Sequence, residues 1–580
     1  MKIKYIIKKD IEQALINMGI KYYSKPLIIH SKKIELGNYQ FDNLIKIANE
    51  NKIDVYDLYK KIIFIIGKKN IYKKITFSHP GYINIFLHKT WLSKKLEELF
   101  ISSRLGIKYC SSKQTIVVDY SSPNIAKEMH IGHLRSTILG DATVRTLEFL
   151  GHNVIRANHI GDWGTQFGML IAYLKYKKLE KKLEDDLISL KEIENFYCKS
   201  KEKCDLDENF KNTSREYVVK LQNGDHYCYS IWKKLVSITM NYNYNIYTKL
   251  NVTLKKQHTM GESLYNKMLP EIVKDLKEKK IAQEKNGATI VILDEFKNKL
   301  GKSMGVIIQK EDQAFLYATT DIACLKYRYE TLHANRIIYY TDSRQKQHLL
   351  QTWSIAKKAN YIPQDLLLEH HAFGMILYKN NRPFKTRDGN TIKLSALLHE
   401  AINRAKNLIK QKKPRLPKKK LIKLANIIGI SAIKYSDLSK NRNTNYIFDW
   451  DEMLNFEGNT SPYIQYAYTR IVSILKKSTI QVHKISEKIH LTQDTEIKLA
   501  IKILEFEEII LTIEKKGNPH IMCNYLYQLA THFSHFYENC SILFSKKIKT
   551  CKSRLKLCFL TAKTLKKGLN ILGIKILKNM

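Results

Sequence analysis

The sequence predicts a multidomain α/β protein: a parallel-sheet domain in the middle of the chain, a small α+β domain before it and an all-α domain after it. Three observations carry this. The β-branched runs Thr115-Ile116-Val117-Val118 and Val154-Ile155-Arg156-Ala157 bracket a helical repeat of Leu134, Ile138, Leu139 and Ala142, with Gly151 placed to close the helix. Before them, helical stripes mix with an alternating strand. Beyond a Lys- and Pro-rich stretch at 412–420, the apolar repeats are almost wholly helical.

A length of 580 residues suits about three or four domains. Lysine and arginine number 98 against 55 acidic residues, a net charge of +43, which favours a polyanionic partner. The abundance of Lys, Asn, Ile and Tyr is also what the codon bias of an AT-rich genome produces, so charge alone leaves both explanations open. The nine cysteines form no Cys-x-x-Cys pair, so neither a zinc site nor a disulfide framework is expected. There is no secretory pattern and no apolar run near 18 residues, so a soluble cytoplasmic protein is expected.

Residues 1–112 read as the α+β domain. Ile11, Ala14, Leu15 and Met18 form one helical stripe, Ile45 and Ala48 belong to another, and Tyr82-Ile83-Asn84-Ile85-Phe86 alternates after a turn at Pro80-Gly81. The parallel-sheet domain, 113–400, opens with its most informative stretch. The loop 119–133 follows a strand and runs into a helix, so it lies at a strand's carboxyl end, where open α/β sheets place ligands. His130 and His133 are three apart, so both imidazoles can face one side, and Gly132 lets a flat ring approach the backbone. The helix amino end suits phosphate. Two imidazole donors there would stabilise a phosphate gaining charge in a transition state, each worth about 2.7–4 kcal/mol. A second glycine-bearing loop, 158–168, follows the next strand.

Residues from about 175 to 262 read as a helical insertion. Its charged start at 177–186 is taken as a solvated face with no chemistry. The sheet is expected to resume with Ala288-Thr289-Ile290-Val291-Ile292-Leu293, and a later strand, Ile337-Ile338-Tyr339-Tyr340, runs into 342–348. Tyr317 and Asp321 are four apart and share a helix face, although local sequence by itself favours Asp321 as the cap of a helix starting near Thr320. Pro383-Phe384-Lys385-Thr386-Arg387-Asp388-Gly389 is a basic, glycine-containing loop. In the helical domain, 401–580, aromatics interleave with basic residues from Tyr446 to Arg470, a pattern that suits either base stacking or a bundle core.

His130-Ile131-Gly132-His133 resembles the nucleotide-binding signature of class I aminoacyl-tRNA synthetases, and the longer run 122–133 resembles that of arginyl-tRNA synthetases. The amino-terminal runs Gly37-Asn38-Tyr39-Gln40 and 81–87, the loop 158–168 and the end of the chain are similar to that family as well. The resemblance implies a Rossmann-like catalytic domain, an amino-terminal domain touching the outer corner of tRNA, and an anticodon-binding helical domain. It implies ATP contacts from Pro123, Asn124, Ile125, Ala126, Lys127, Glu128, Met129, His130, Ile131, Gly132 and His133. Ser122, Asn124, His133, Tyr317, Asp321 and Gln345 would hold arginine. A guanidinium has donors only, so a carboxylate backed by neutral acceptors matches it.

The loop at 383–389 looks like a degenerate Lys-Met-Ser-Lys-Ser loop. Lys385 takes the first basic position, the second lysine is absent, and Lys127 is implied to compensate. His130, His133, Lys127 and Lys385 are the implied catalytic set; Tyr446, Trp450, Asn459, Tyr463, Tyr466, Ala467 and Met580 are the implied tRNA contacts. The implied partners are tRNA(Arg), L-arginine and ATP with Mg2+, with no tightly bound cofactor or structural metal, acting on a monomer. Three rivals differ in chemistry: a nucleotidyl transferase indifferent to tRNA, a non-catalytic RNA-binding relative, and a synthetase for another amino acid.

Overall fold

The computed structural model describes residues 2–20, 24–31, 33–185, 187–378, 392–545 and 547–577. Lys385, with its loop, and Met580 lie outside the described residues. At the centre, the parallel strands Leu367–His370, Arg336–Tyr339, Thr115–Asp119 and Asn153–Ala157 lie side by side in that order. The chain builds outward from Thr115–Asp119 in one direction, then returns to add Arg336–Tyr339 on its other side. The crevice beyond the carboxyl ends of these two strands is therefore a switch point, where such sheets hold ligands. The loop 119–133 opens from one lip and 341–348 from the other. Helix Ile131–Leu150 buries Leu134, Ile138, Leu139 and Ala142, and Gly151 closes it at φ 97°.

One expected strand belongs elsewhere. Residues 288–293 fall in Ala288–Lys297, the middle strand of a separate antiparallel sheet with Ala282–Lys285 and Ser303–Gln309. Asn286 and Gly287, at φ 49° and 76°, form the tight turn that pins two strands antiparallel. That Asn-Gly pair outweighs the β-branched run after it.

The helices Thr165–Tyr176, Leu190–Leu206, Glu208–Gln222 and His226–Lys249 enclose a core of their own around Phe167, Ile171 and Leu235. In the charged stretch 177–186 a short helix, Glu180–Glu184, exposes Lys181 and Lys182 and turns Leu183 inward.

The amino-terminal domain is a four-stranded antiparallel sheet backed by helices Ile3–Asn17 and Val55–Ile66. It docks on the carboxyl-terminal bundle: Glu97 accepts from Lys556 Nζ at 2.9 Å and from the Ile489 N–H at 2.7 Å. Helix Leu394–Lys412 runs through the boundary expected at 400/401 and pairs with Lys418–Leu438. Gly429 permits their close crossing, because a Cβ there would sit 2.7 Å from the Ala401 carbonyl.

The bundle is tied to the central domain at Arg135 on the helix Ile131–Leu150. Its Nε lies 3.3 Å from Asp437 Oδ2, and its Nη1 donates to the Gly374 and Thr444 carbonyls at 2.7 and 3.1 Å. Both side chains are fully buried. Among the described residues no helix is long and apolar enough to cross a membrane, and the nine cysteines are free.

Candidate active site

The loop after Thr115–Asp119 is held in place before any ligand arrives. Ser121, Ser122 and Ala126 adopt φ of 74°, 45° and 64°, a left-handed backbone costing on the order of 1–3 kcal/mol per residue. Hydrogen bonds from other elements offset that strain. Ser121 Oγ lies 2.7 Å from Tyr247 Oη, the Ser122 N–H donates to Asn158 Oδ1 at 3.0 Å, and the Ala126 N–H donates to Thr239 Oγ1 at 3.2 Å. Tyr247 and Thr239 come from the insertion's last helix, which thus shapes the loop.

At the helix start the two histidines lock each other. The His130 N–H donates to His133 Nδ1 at 3.1 Å, and the Gly132 N–H donates to His130 Nδ1 at 3.1 Å. With both Nδ1 atoms accepting, each neutral ring carries its proton on Nε2. Burial pushes His133 down to about 3; burial, then Lys127, lowers His130. Near neutral pH both are therefore uncharged Nε2–H donors, with ring centres 3.9 Å apart. A Cβ on Gly132 would lie 2.8 Å from the His130 ring, so the glycine is required for this arrangement.

Asn124, Lys127, His130 and His133 line one cavity of about 810 Å³, a size suited to a nucleotide. Its opposite wall was not anticipated. Helix Leu190–Leu206 of the insertion supplies Glu194 and Tyr197, and Lys127 Nζ sits 4.4 Å from the Tyr197 ring centre. Lys393, just past the loop that contains Lys385, completes the lining. Burial alone would raise the Glu128 carboxyl, but Tyr242 and Lys393 hold it below its ordinary range.

Across the switch point two carboxyls, Asp321 and Glu262, lie close together and form an acidic cluster, called the acidic pocket below. Helix Tyr317–Glu330 begins at Tyr317 with Leu316 as its cap, so Asp321 is not a capping residue but lies a turn inside, on the face of Tyr317. Asp321 Oδ2 is 2.5 Å from His348 Nε2, and Oδ1 is 3.9 Å from His159 Nε2. Glu262 is the second carboxyl here. Burial, partly offset by His159 and reinforced by Asp321, pushes it up to about 8. The same Glu262 charge is the largest influence raising the Tyr317 hydroxyl.

Gln345 is exposed in the turn Ser343–Gln345, and it is His348 that touches Asp321. Ser122 Oγ donates to Asp119 Oδ1 at 3.0 Å, while the other Asp119 oxygen pairs with buried Arg328 of the Tyr317–Glu330 helix. The nucleotide loop and the acidic pocket thus share one anchor. Among the described residues no group of three or more His, Cys, Asp or Glu side chains is arranged to hold a metal ion.

The bundle residues separate into two sets. Tyr466 is exposed with Arg470 over its ring at 5.3 Å, on a groove of about 1070 Å³ that also holds Phe456, Tyr537 and Phe544. Trp450 is stacked under Arg404, Tyr463 packs against Tyr527, and Asn459 accepts from Tyr435 Oη at 2.6 Å. Tyr446 and Ala467 are both buried. Tyr446 is buried with its hydroxyl on Asp437, and Ala467 faces the bundle core, so neither presents a face to a base.

A parallel sheet with paired neutral imidazoles at its switch point is suited to holding a nucleotide's phosphates. Residues 95–450 match the family model for tRNA synthetases class I (R), catalytic domain; 464–580 match the DALR anticodon binding domain, and 5–87 the arginyl tRNA synthetase N terminal domain. Over 580 residues, the whole of both chains, the sequence is 72% identical to an arginine–tRNA ligase of Buchnera aphidicola subsp. Schizaphis graminum. It is 53% identical to that of Yersinia enterocolitica, again end to end. Plasmodium falciparum arginyl-tRNA synthetase superposes with a TM-score of 0.85 at 33% identity, covering 100% of this chain and 99% of that one. The chain belongs to the arginine–tRNA ligase family.

Proposed function

We propose that the chain activates L-arginine with ATP and transfers it to the 3′-terminal adenosine of tRNA(Arg), releasing AMP and pyrophosphate. The observation that carries this is the pair of neutral Nε2–H imidazoles in one cavity, joined through Asp119 to an acidic pocket across the switch point. The arginine carboxylate attacks the α-phosphate of ATP, which enters as its Mg2+ complex. The phosphate gains charge there, and His130 and His133 meet it with donors that need no reorganisation. Asp321 and Glu262 face the guanidinium, with Tyr317 beside them. Ser122, Asn124 and Gln345 lie on the loops flanking the amino-acid end. The 2′-hydroxyl of the terminal adenosine then takes the arginyl group.

Tyr466 and the half-buried Trp450, Asn459 and Tyr463 stand on the side of the bundle proposed to meet the anticodon loop, with the amino-terminal domain at the tRNA's outer corner. The proposed units are residues 1–112, a catalytic unit from 113 carrying the insertion at 175–262, and a helical unit that takes in the helix Leu394–Lys412 whole rather than starting at 401. The proposed working state is a cytoplasmic monomer. Activation depends on tRNA, so pyrophosphate exchange by the free protein is expected to be weak; vigorous exchange without tRNA counts against this. Replacing Asp321 by Asn removes a charged partner of the guanidinium and raises the arginine KM by about 1.5–3 kcal/mol in binding terms. The ATP KM changes little. Steady-state charging kinetics check the split, and an unchanged arginine KM would remove Asp321 from the pocket.

A further inference from the structure

The phosphate cavity holds a cation that neither the sequence motifs nor the family resemblance marks. Lys393 Nζ is 2.9 Å from Glu128 Oε1 and 2.6 Å from Glu194 Oε2. Its backbone is fixed beside the histidines: His130 and Lys393 form an antiparallel bridge, the Ile131 N–H donates to the Ile392 carbonyl at 3.0 Å, and the Leu394 N–H donates to the Met129 carbonyl at 2.8 Å. The position of the ammonium group is thus set by the same two strands of chain that place His130.

Its two carboxylate partners are unequal. Glu128 also accepts from Tyr242 Oη and Ser395 Oγ, at 2.5 and 3.3 Å, and only 10% of its side chain is exposed. It is a fixed partner. Glu194 projects from the insertion helix Leu190–Leu206 on the far wall, 27% exposed, and its one described polar contact is Lys393. An ammonium is a compact charge with three donors on a flexible stem, so it can keep one carboxylate while exchanging the other for a phosphate oxygen.

We propose that Lys393 is a further cation for the ATP polyphosphate, with Glu194 as its exchangeable counter-ion when no nucleotide is bound. This rests on the reading of the cavity as the ATP site. Lys127 and Lys393 line the same cavity as the paired imidazoles, so a polyphosphate chain entering with its α-phosphate at the histidines meets both ammonium groups there. Glu194 keeps Lys393 charged and placed while the cavity is empty. The insertion, whose sequence suggests only a solvated surface, then sets how tightly ATP binds.

The test is the ATP KM of pyrophosphate exchange in the full-length protein, measured with saturating arginine and tRNA. Lys393→Met loses a charged contact to phosphate and raises the ATP KM by about tenfold or more. The arginine KM stays near its starting value, and Lys393→Arg recovers most of the loss. Glu194→Gln removes the competitor and lowers the ATP KM by about threefold, an effect that vanishes in the Lys393→Met background. If Glu194→Gln instead raises the ATP KM as Lys393→Met does, the pair is a structural clasp and the proposal is wrong. It is equally wrong if Lys393→Met leaves the ATP KM unchanged. A His130→Ala variant separates the two readings: normal activation by it would mean that this cavity is not the ATP site at all.

Discussion

Replacing His133 by alanine lowers the rate of arginine-dependent pyrophosphate exchange by about 10²–10³-fold, since one preorganised donor to a charge-gaining oxygen is worth about 2.7–4 kcal/mol. The loss falls on kcat more than on either KM, because the donor matters most when the α-phosphate carries its extra charge. The substitution also strips the His130 N–H of its acceptor at the helix start, a capping loss of about 1 kcal/mol. The variant therefore stays folded but melts somewhat lower. His133→Asn keeps an acceptor near that N–H and recovers the stability without the rate. His133 titrates near 3, so the rate shows no ionisation of this ring between pH 6 and 9. A rate loss below fivefold in folded His133→Ala would remove the ring from the reaction.

The second large effect is on stability. Asp437→Leu leaves the Arg135 guanidinium buried without its counter-charge, and breaking such a pair costs about 3–5 kcal/mol. Burial raises the Asp437 carboxyl, while Arg135 and Tyr446 pull it back. The urea midpoint falls accordingly. The double replacement Arg135→Met with Asp437→Leu recovers much of the loss, because two apolar groups of similar volume need no partner. The guanidinium also holds the Gly374 and Thr444 carbonyls, so the recovery is incomplete. Equal destabilisation in the single and double variants would mean that lost packing, and not the stranded charge, sets the cost.

Local chemistry made part of this molecule readable from sequence. The strands at 115–119 and 153–157, the helix between them and its closure at Gly151 follow from short-range apolar spacing and one glycine. The paired histidines are equally local, because each ring accepts a backbone N–H within three residues. The β-branched run at 288–293 announces a strand, but such a run alone does not say which sheet a strand joins. The Asn286-Gly287 turn before it, which the sequence reading does not use, carries that information.

What stayed hidden depends on chain that returns from far away. Glu194 meets Lys393 across 199 positions, and Asp321 meets His348 only after a strand and a turn intervene. Neither pair falls within the length of a single helix or strand, which is as far as periodicity reads. Tyr446 and Ala467 show a different limit of local reading. Aromatic and small residues among cations suit a stacking surface and a helical core equally well, and burial decides between them.

The most direct measurement is charging of total tRNA by the purified protein with ATP and each of the twenty labelled amino acids. Label from arginine alone is the expected result, with loss of the signal in folded His133→Ala and a raised arginine KM in Asp321→Asn. Label from another amino acid would leave the reaction standing and contradict the acidic pocket. No charging, with tRNA still bound, would contradict the catalytic assignment itself.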